Sequence, residues 1–254
     1  MNPPSGREHS AWRRWIARAL DPLYPAHCAL CETELRHGRA LCDACGDDLP
    51  RLGEPFCESC GEAFPGKIDG PFECPNCAGM KFSFEFARPA MVRETRTLDL
   101  VHRLKYQRQI HLADELAALA AEAFRDPRLE RALAERWPLV PVPLHRSRLR
   151  QRHFNQAEEI ARGLAGRLGL PVLHALRRLR RTDTQTLLGR KQRMENLRGA
   201  FGVTRHATRW LDGGTRGALL VDDVLTTGST VNECAKTLLK AGFQRVQVVT
   251  VMRG

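Results

Sequence analysis

Residues 218–230 read ALLVDDVLTTGST. An apolar run, Ala218 to Val221, ends on two adjacent acids, Asp222 and Asp223. Five small residues follow, Thr226, Thr227, Gly228, Ser229 and Thr230. Carboxylates repel phosphate, so the acids need hydroxyls or a metal ion as partners. The loop offers the opposite chemistry: backbone N–H groups and hydroxyls, with Gly228 letting the chain approach a phosphate closely. No Lys closes the loop, which separates it from an ATPase P-loop. A group with both a phosphate and vicinal hydroxyls is a ribose 5-phosphate. An acidic pair after a strand also occurs in unrelated metal and phosphoacceptor sites, so the loop is what narrows the chemistry.

The second set of chemically able residues is cysteine. Eight of nine cysteines form four Cys-x-x-Cys pairs: Cys28/Cys31, Cys42/Cys45, Cys57/Cys60 and Cys74/Cys77. The gaps between pairs run from 10 to 13 residues. Each turn brings two thiolates to one metal, and two turns complete a tetrahedral four-cysteine zinc site. Disulfides fit poorly with a chain that shows no secretion signal, and four pairs are too many for redox couples. Sequential pairing puts Cys28, Cys31, Cys42 and Cys45 on one ion and the other four on a second; an interleaved pairing uses the same spacings. Closed four-thiolate sites leave no open position for substrate, so two structural Zn²⁺ ions and no catalysis are expected here. So short and polar a segment depends on its metal for folding energy.

These groups need a scaffold. From Arg88 onward, strand and helix patterns alternate. Leu112, Leu116, Leu119, Ala120 and Ala123 share a helical face, and Pro138–Pro143 reads as a short buried strand. Ala157, Ile160, Ala161, Leu164, Ala165 and Leu168 form a second stripe, closed by Gly169 and followed by the strand-like PVL. GALLV is a strand. Val231, Cys234, Ala235, Leu238 and Leu239 face inward from the next helix, Gly242 ends it, and RVQVVTV is a final strand. Cys234 is a small core residue here. The alternation predicts an α/β fold with a parallel sheet and flanking helices, preceded by a small zinc-ribbon module. Ligands of such sheets gather beyond the carboxyl ends of the strands, where Asp222 and Asp223 stand.

Charge divides the same way. Residues 1–80 carry 8 Lys/Arg against 12 Asp/Glu, a net of −4, and the remaining residues carry a net of +15. That basicity suits a polyanion or a phosphorylated small molecule, and equally a merely soluble surface. No apolar run approaches the roughly 18 residues of a membrane span, and no secretory leader is evident, so a cytoplasmic protein is expected. Trp12, Trp15, Ile16 and Ala19 lie at helical spacing opposite Arg13, Arg14 and Arg18. A short helix docked on the protein fits this pattern, as does a membrane-surface helix. The expected division is 1–24 helical segment, 25–80 double zinc ribbon and 88–254 α/β domain.

The acid pair with its loop resembles the PRPP-binding motif of type I phosphoribosyltransferases. HRLKYQRQIHLADELA (102–117), RLRQRHFNQAEEIARGLA (148–165) and RTDTQTLLGRKQRMENLRGAF (181–201) resemble the ComF family in order and spacing, as does the zinc-ribbon head. The resemblance runs from about Pro25 through the last strand. It implies that Asp222 and Asp223 bind the ribose hydroxyls and that Thr226, Thr227, Gly228, Ser229 and Thr230 cradle the 5-phosphate. It also implies Mg²⁺ bridging the sugar and the pyrophosphate leaving group. Residues 141–152 correspond to a pyrophosphate loop, and 182–198 to a mobile loop over the site. Lys105, Arg146, Arg148, Arg150 and Arg152 are the candidate cations for the leaving group. Two departures stand out: His153 occupies the place of the family's usual Gly, and Thr226 stands where hypoxanthine-type enzymes carry an Asp.

A binding role competes with catalysis. Residues 145–198 hold 14 Lys/Arg against 4 Asp/Glu, and Phe154 is their only Phe, Tyr or Trp. Phosphate tracking is therefore expected in preference to base stacking. The ComF family is associated with DNA uptake, so the resemblance implies single-stranded DNA and uptake or recombination proteins as partners, with the zinc module as docking surface. A sensor of PRPP that does not turn it over is a third reading.

Overall fold

The computed structural model describes residues 26–35, 39–182, 196–214 and 216–254. The predicted Trp12/Trp15 helix and most of the predicted mobile loop, 183–195, lie outside these residues. Packing divides the chain into two compact units, Met1–Leu49 and Pro50–Gly254. In the first, β1 (Ala26–His27) pairs antiparallel with β2 (Glu34–Leu35). A single-turn helix α1 (Asp43–Asp47) follows, capped by Cys42, whose Sγ accepts from the Cys45 N–H.

The second unit is built on a parallel sheet in the order β3-β8-β7-β4. Its strands are β3 (Ala87–Met91), β4 (Leu139–Pro141), β7 (Gly217–Leu225) and β8 (Arg245–Arg253). Residues 217–221 are all buried, the pattern of a strand covered on both faces. Beyond Val221 the burial alternates, because the acids reach the open end of the sheet. The PVL segment contributes one parallel bridge, Leu139 to Val172. Pro89 sits in β3, an edge strand, where its missing N–H costs no ladder bond.

Helices cover the sheet: α2 (Thr95–Tyr106), α3 (Leu112–Ala121), α4 (Glu130–Ala134), α5 (Arg146–Arg152), α6 (Gln156–Leu168), α7 (Arg205–Asp212) and α8 (Ser229–Ala241). The apolar stripes of α3, α6 and α8 face the core as expected, and Gly169 and Gly242 end their helices in the left-handed region. Between α6 and α7, β5 (Leu176–Arg178) and β6 (Phe201–Val203) form an antiparallel ribbon at the base of the 182–198 segment.

Sequence spacing sets the second cysteine segment with the first, ending near residue 80. Packing sets it with the sheet. Cys57, Cys60, Cys74 and Cys77 are all buried, in one apolar cluster with Phe84, Ala87, Val231, Cys234 and Val246. Backbone bonds reinforce the join: Ala87 N–H donates to Ser59 O at 3.0 Å, and Leu52 N–H to Ala90 O at 2.9 Å. A short polar segment gains burial by joining a larger core.

Candidate functional site

The site starts at the carboxyl end of β7. Asp223 is 5% exposed, and its Oδ2 lies 2.8 Å from Nζ of Lys105, in the last turn of α2. The Asp223 N–H donates to Asp222 Oδ1 at 3.0 Å. Burial, and then the neighbouring Asp223 charge, push the Asp222 carboxyl up to about 7, against the pull of Lys105. Lys105, a candidate for the leaving group, is thus placed on the acid pair.

The loop after the acids turns through Gly228 at φ 75° into α8. Thr227 Oγ1 and Ser229 Oγ lie 2.9 Å apart, which holds the turn closed. The N-cap of this 13-residue helix is Gly228, and Thr227 Oγ1 accepts the Ser229 N–H at 3.4 Å; the positive end of the helix still suits an anion.

Acids and loop open on one cleft of about 1100 Å³, lined among others by Lys105, Arg148, Arg152, Asp222, Asp223, Thr226 and Thr230. Expected as a loop, residues 146–152 form helix α5, and helical spacing sorts the four arginines. Arg148 and Arg152, four apart, line the cleft. Arg146 lines an adjoining hollow of about 470 Å³ with Arg177, and Arg150 lines neither. Asn155 Nδ2 donates to Val142 O at 3.0 Å, fixing the start of α6 to the end of β4. His153 ends α5 at φ 69°, and its N–H donates to Leu149 O at 2.7 Å. The backbone therefore keeps a left-handed turn that favours glycine. His153→Gly is expected to stabilise the fold by about 1 kcal/mol in urea unfolding.

The cysteines group sequentially, Cys28/Cys31/Cys42/Cys45 and Cys57/Cys60/Cys74/Cys77, with the Sγ atoms of each set within 4.8 Å of one another. Zn–S bonds of about 2.3 Å set tetrahedral sulfurs about 3.8 Å apart. Cys31 and Cys42 are 3.6 Å apart, and Cys60 and Cys74 are 3.7 Å apart. Backbone N–H groups point at the sulfurs, from Cys42 to Cys28 and from Cys74 to Cys57. The hydrogen bond with Cys60 holds the Cys57 thiol down to about 4, and the same contact drives Cys60 far up. Four thiols this close ionise together only around a cation, so both sets fit structural zinc.

Comparison with known proteins agrees with this geometry. A double zinc ribbon domain matches residues 19–80, and a phosphoribosyl transferase domain matches 155–254. Competence protein F of Haemophilus influenzae is 37% identical over 150 residues, 59% of this chain and 64% of that protein's length. DNA utilization protein YhgH of Salmonella typhi is 32% identical over 245 residues, 94% of this chain and 96% of that protein. Its Escherichia coli K12 counterpart is 30% identical over 243 residues, with the same coverage. This chain belongs to the ComF family.

Two residues in this ComF-family cleft escaped sequence reasoning. Arg178, on β5, lies over the Phe201 ring at 5.3 Å and lines the cleft. Its Nε is buried without a partner among the described residues; burial, followed by Arg148, lowers its pKa. Tyr106 is 67% exposed at the rim, with Arg152 5.2 Å above its ring and His102 edge-on at 5.3 Å. Counting aromatic residues within 145–198 alone missed this ring, since α2 delivers it from elsewhere in the chain. The 3.6-residue spacing of Thr97, Leu100, Val101 and Leu104 was the available signal for α2.

Proposed function

We propose that the cleft binds PRPP with Mg²⁺ and transfers its ribose 5-phosphate group to a nitrogen acceptor, releasing pyrophosphate. One observation carries the reading: the acid pair and a helix start with a glycine N-cap flank a single arginine-lined cleft. Asp222 and Asp223 accept hydrogen bonds from the two ribose hydroxyls. The loop N–H and hydroxyl groups of residues 226–230 hold the 5-phosphate. Arg148 and Arg152, joined by Arg178, stabilise charge gathering on the leaving pyrophosphate. Mg²⁺ supplies further charge neutralisation when bound. Lys105 acts by holding Asp223 in place through their 2.8 Å ion pair. Calorimetric titration of Mg²⁺-PRPP into the protein and an Asp222→Asn/Asp223→Asn variant tests this; binding by neither removes it.

The names of the relatives, competence and DNA utilization, support a place for this chemistry in DNA uptake. Reduced thiolate tetrads support a cytoplasmic setting. The first zinc unit serves as the docking surface for uptake or recombination proteins.

A second reading, single-stranded DNA binding without turnover, is favoured by Tyr106 standing beside Arg152 at the rim. An exposed ring offers a base-stacking face and the arginines offer phosphate contacts. Strand affinity is then expected to fall steeply with salt, about tenfold or more between 50 and 200 mM, while Asp222→Asn leaves it unchanged. Fluorescence anisotropy with a labelled oligonucleotide measures both; a flat salt response removes the reading.

A further inference from the structure

Arg253 is 7% exposed, and its guanidinium grips the start of the loop. Nη1 donates to the carbonyl oxygens of Leu225 at 2.7 Å, Gly254 at 2.8 Å and Thr226. Nη2 pairs with Glu62 Oε2 at 2.7 Å. Leu225 ends β7 and Thr226 opens the candidate phosphate loop. Glu62 stands two residues beyond Cys60, a sulfur of the second tetrad. The connection between them is short and rigid. Gly61 N–H donates to Cys57 O at 2.8 Å, and Cys57 N–H donates to Glu62 O at 2.8 Å. Gly61 itself, at φ 66°, lies so close to β3 that a Cβ would stand 2.4 Å from Pro89 Cδ.

The other end of the loop is held from the same segment. Asn232, in the first turn of α8, accepts the Ser83 N–H on Oδ1 at 2.6 Å, and its own N–H donates to Gly228 O at 2.9 Å. Val231 and Cys234 of α8 share the apolar cluster of the four sulfurs. Residues 57–83 thus touch the loop at both ends, through Arg253 at its entry and Asn232 at its exit.

We propose that the second cysteine tetrad is a positioning element for the phosphate loop. Glu62 and Arg253 transmit its state, so that metal held at Cys57, Cys60, Cys74 and Cys77 sets the loop's geometry and affinity. This deepens the reading of 226–230 as a phosphate site and rests on it for the ligand alone. Coupling between two sites is reciprocal, so a ligand in the loop must in turn slow the loss of that metal.

The latch is tested first without ligand, by hydrogen exchange of the 226–231 amides in zinc-loaded protein. Glu62→Gln weakens the ion pair but leaves the Arg253 carbonyl bonds, and so keeps the variant foldable. Arg253→Met removes both. Exchange is expected to quicken about tenfold in Glu62→Gln and more in Arg253→Met, the loss of one charge-assisted hydrogen bond being about that factor. Unchanged exchange in Glu62→Gln, with two zinc ions still bound, overturns the proposal whether or not PRPP binds.

The reciprocal arm uses chelator-driven zinc release with PRPP at saturation for each variant. Release of one of the two ions is expected to slow at least about fivefold in the unaltered protein, and the slowing to vanish in Glu62→Gln. Equal slowing in both proteins means that PRPP acts only by stabilising the whole unit, and that result also overturns the latch. Failure of PRPP to bind in calorimetry overturns the ribose-phosphate reading and leaves the exchange result to decide the latch.

Discussion

Replacing Asp222 with Asn is expected to make the protein more stable and to weaken the proposed binding of PRPP. The folded carboxyl, pushed up to about 7 from 3.8 by burial and by Asp223, binds a proton that the unfolded chain releases. Ionisation therefore costs folding free energy, and the cost is present above pH 7. It fades as pH falls through 7 and is gone near 4, where both states are protonated. Asp223 on the same strand raises the cost, while Lys105 from α2 and Arg178 from β5 lower it. The Asn variant should gain about 2 kcal/mol over the parent at pH 8, once the screening of a solvated cleft is allowed for, and nothing at pH 4. Urea unfolding at the two pH values measures the difference. Its counterpart lies in ligand binding. Ribose hydroxyls bond more strongly to an ionised acceptor than to a neutral one, so PRPP affinity should rise with pH through 7. The double variant Asp222→Asn/Asp223→Asn should lose at least about 100-fold, the worth of two hydrogen bonds to charged groups. A variant that gained stability and kept its affinity would remove the acids from the site.

The two cysteine tetrads should respond very differently to the same substitution. Cys57→Ser or Cys77→Ser places a hydroxyl in a fully buried cluster shared with β3, α8 and β8, and also withdraws a metal ligand. Apparent zinc-binding energies of about 10–16 kcal/mol contribute directly to folding in small four-ligand sites, so the second unit should lose its cooperative unfolding transition. Cys31→Ser acts on an exposed sulfur in the first compact unit. That change should release one zinc ion and leave the 50–254 transition, and the cleft with it, in place. Zinc content and thermal unfolding of the two variants give the comparison. Equal loss of the main transition in both would mean that the two tetrads fold as one.

The sequence carried these features unevenly, for physical reasons. β7, α8 and β8 were legible because each is long, strongly patterned and bounded by glycines, and the acids mark the strand end by themselves. The tetrads were legible because a Cys-x-x-Cys turn is a local geometry. The sorting of Arg148 and Arg152 from Arg146 and Arg150 needed only helical periodicity, which a reading of 141–152 as a loop set aside. What could not be read were contacts between distant segments. Lys105 reaches Asp223 across 118 positions, and Glu62 reaches Arg253 across 191. Neither pairing leaves a trace in local composition. The burial of Cys57–Cys77 is of the same kind, since more than half of the other residues in their apolar cluster come from beyond residue 200.

The strand order β3-β8-β7-β4 has a further consequence during synthesis. The two flanking strands leave the ribosome first, and they do not pair with each other. β4 must wait for β7 (Gly217–Leu225) and β3 for β8 (Arg245–Arg253), so from Pro141 to Leu225 the nascent chain carries both flanking strands without their sheet partners. Such non-local pairing closes slowly and exposes sticky surface meanwhile. This chain is expected to depend on chaperone holding more than a protein whose central strands are made first. Synonymous changes that slow translation before residue 217 should lower its soluble yield.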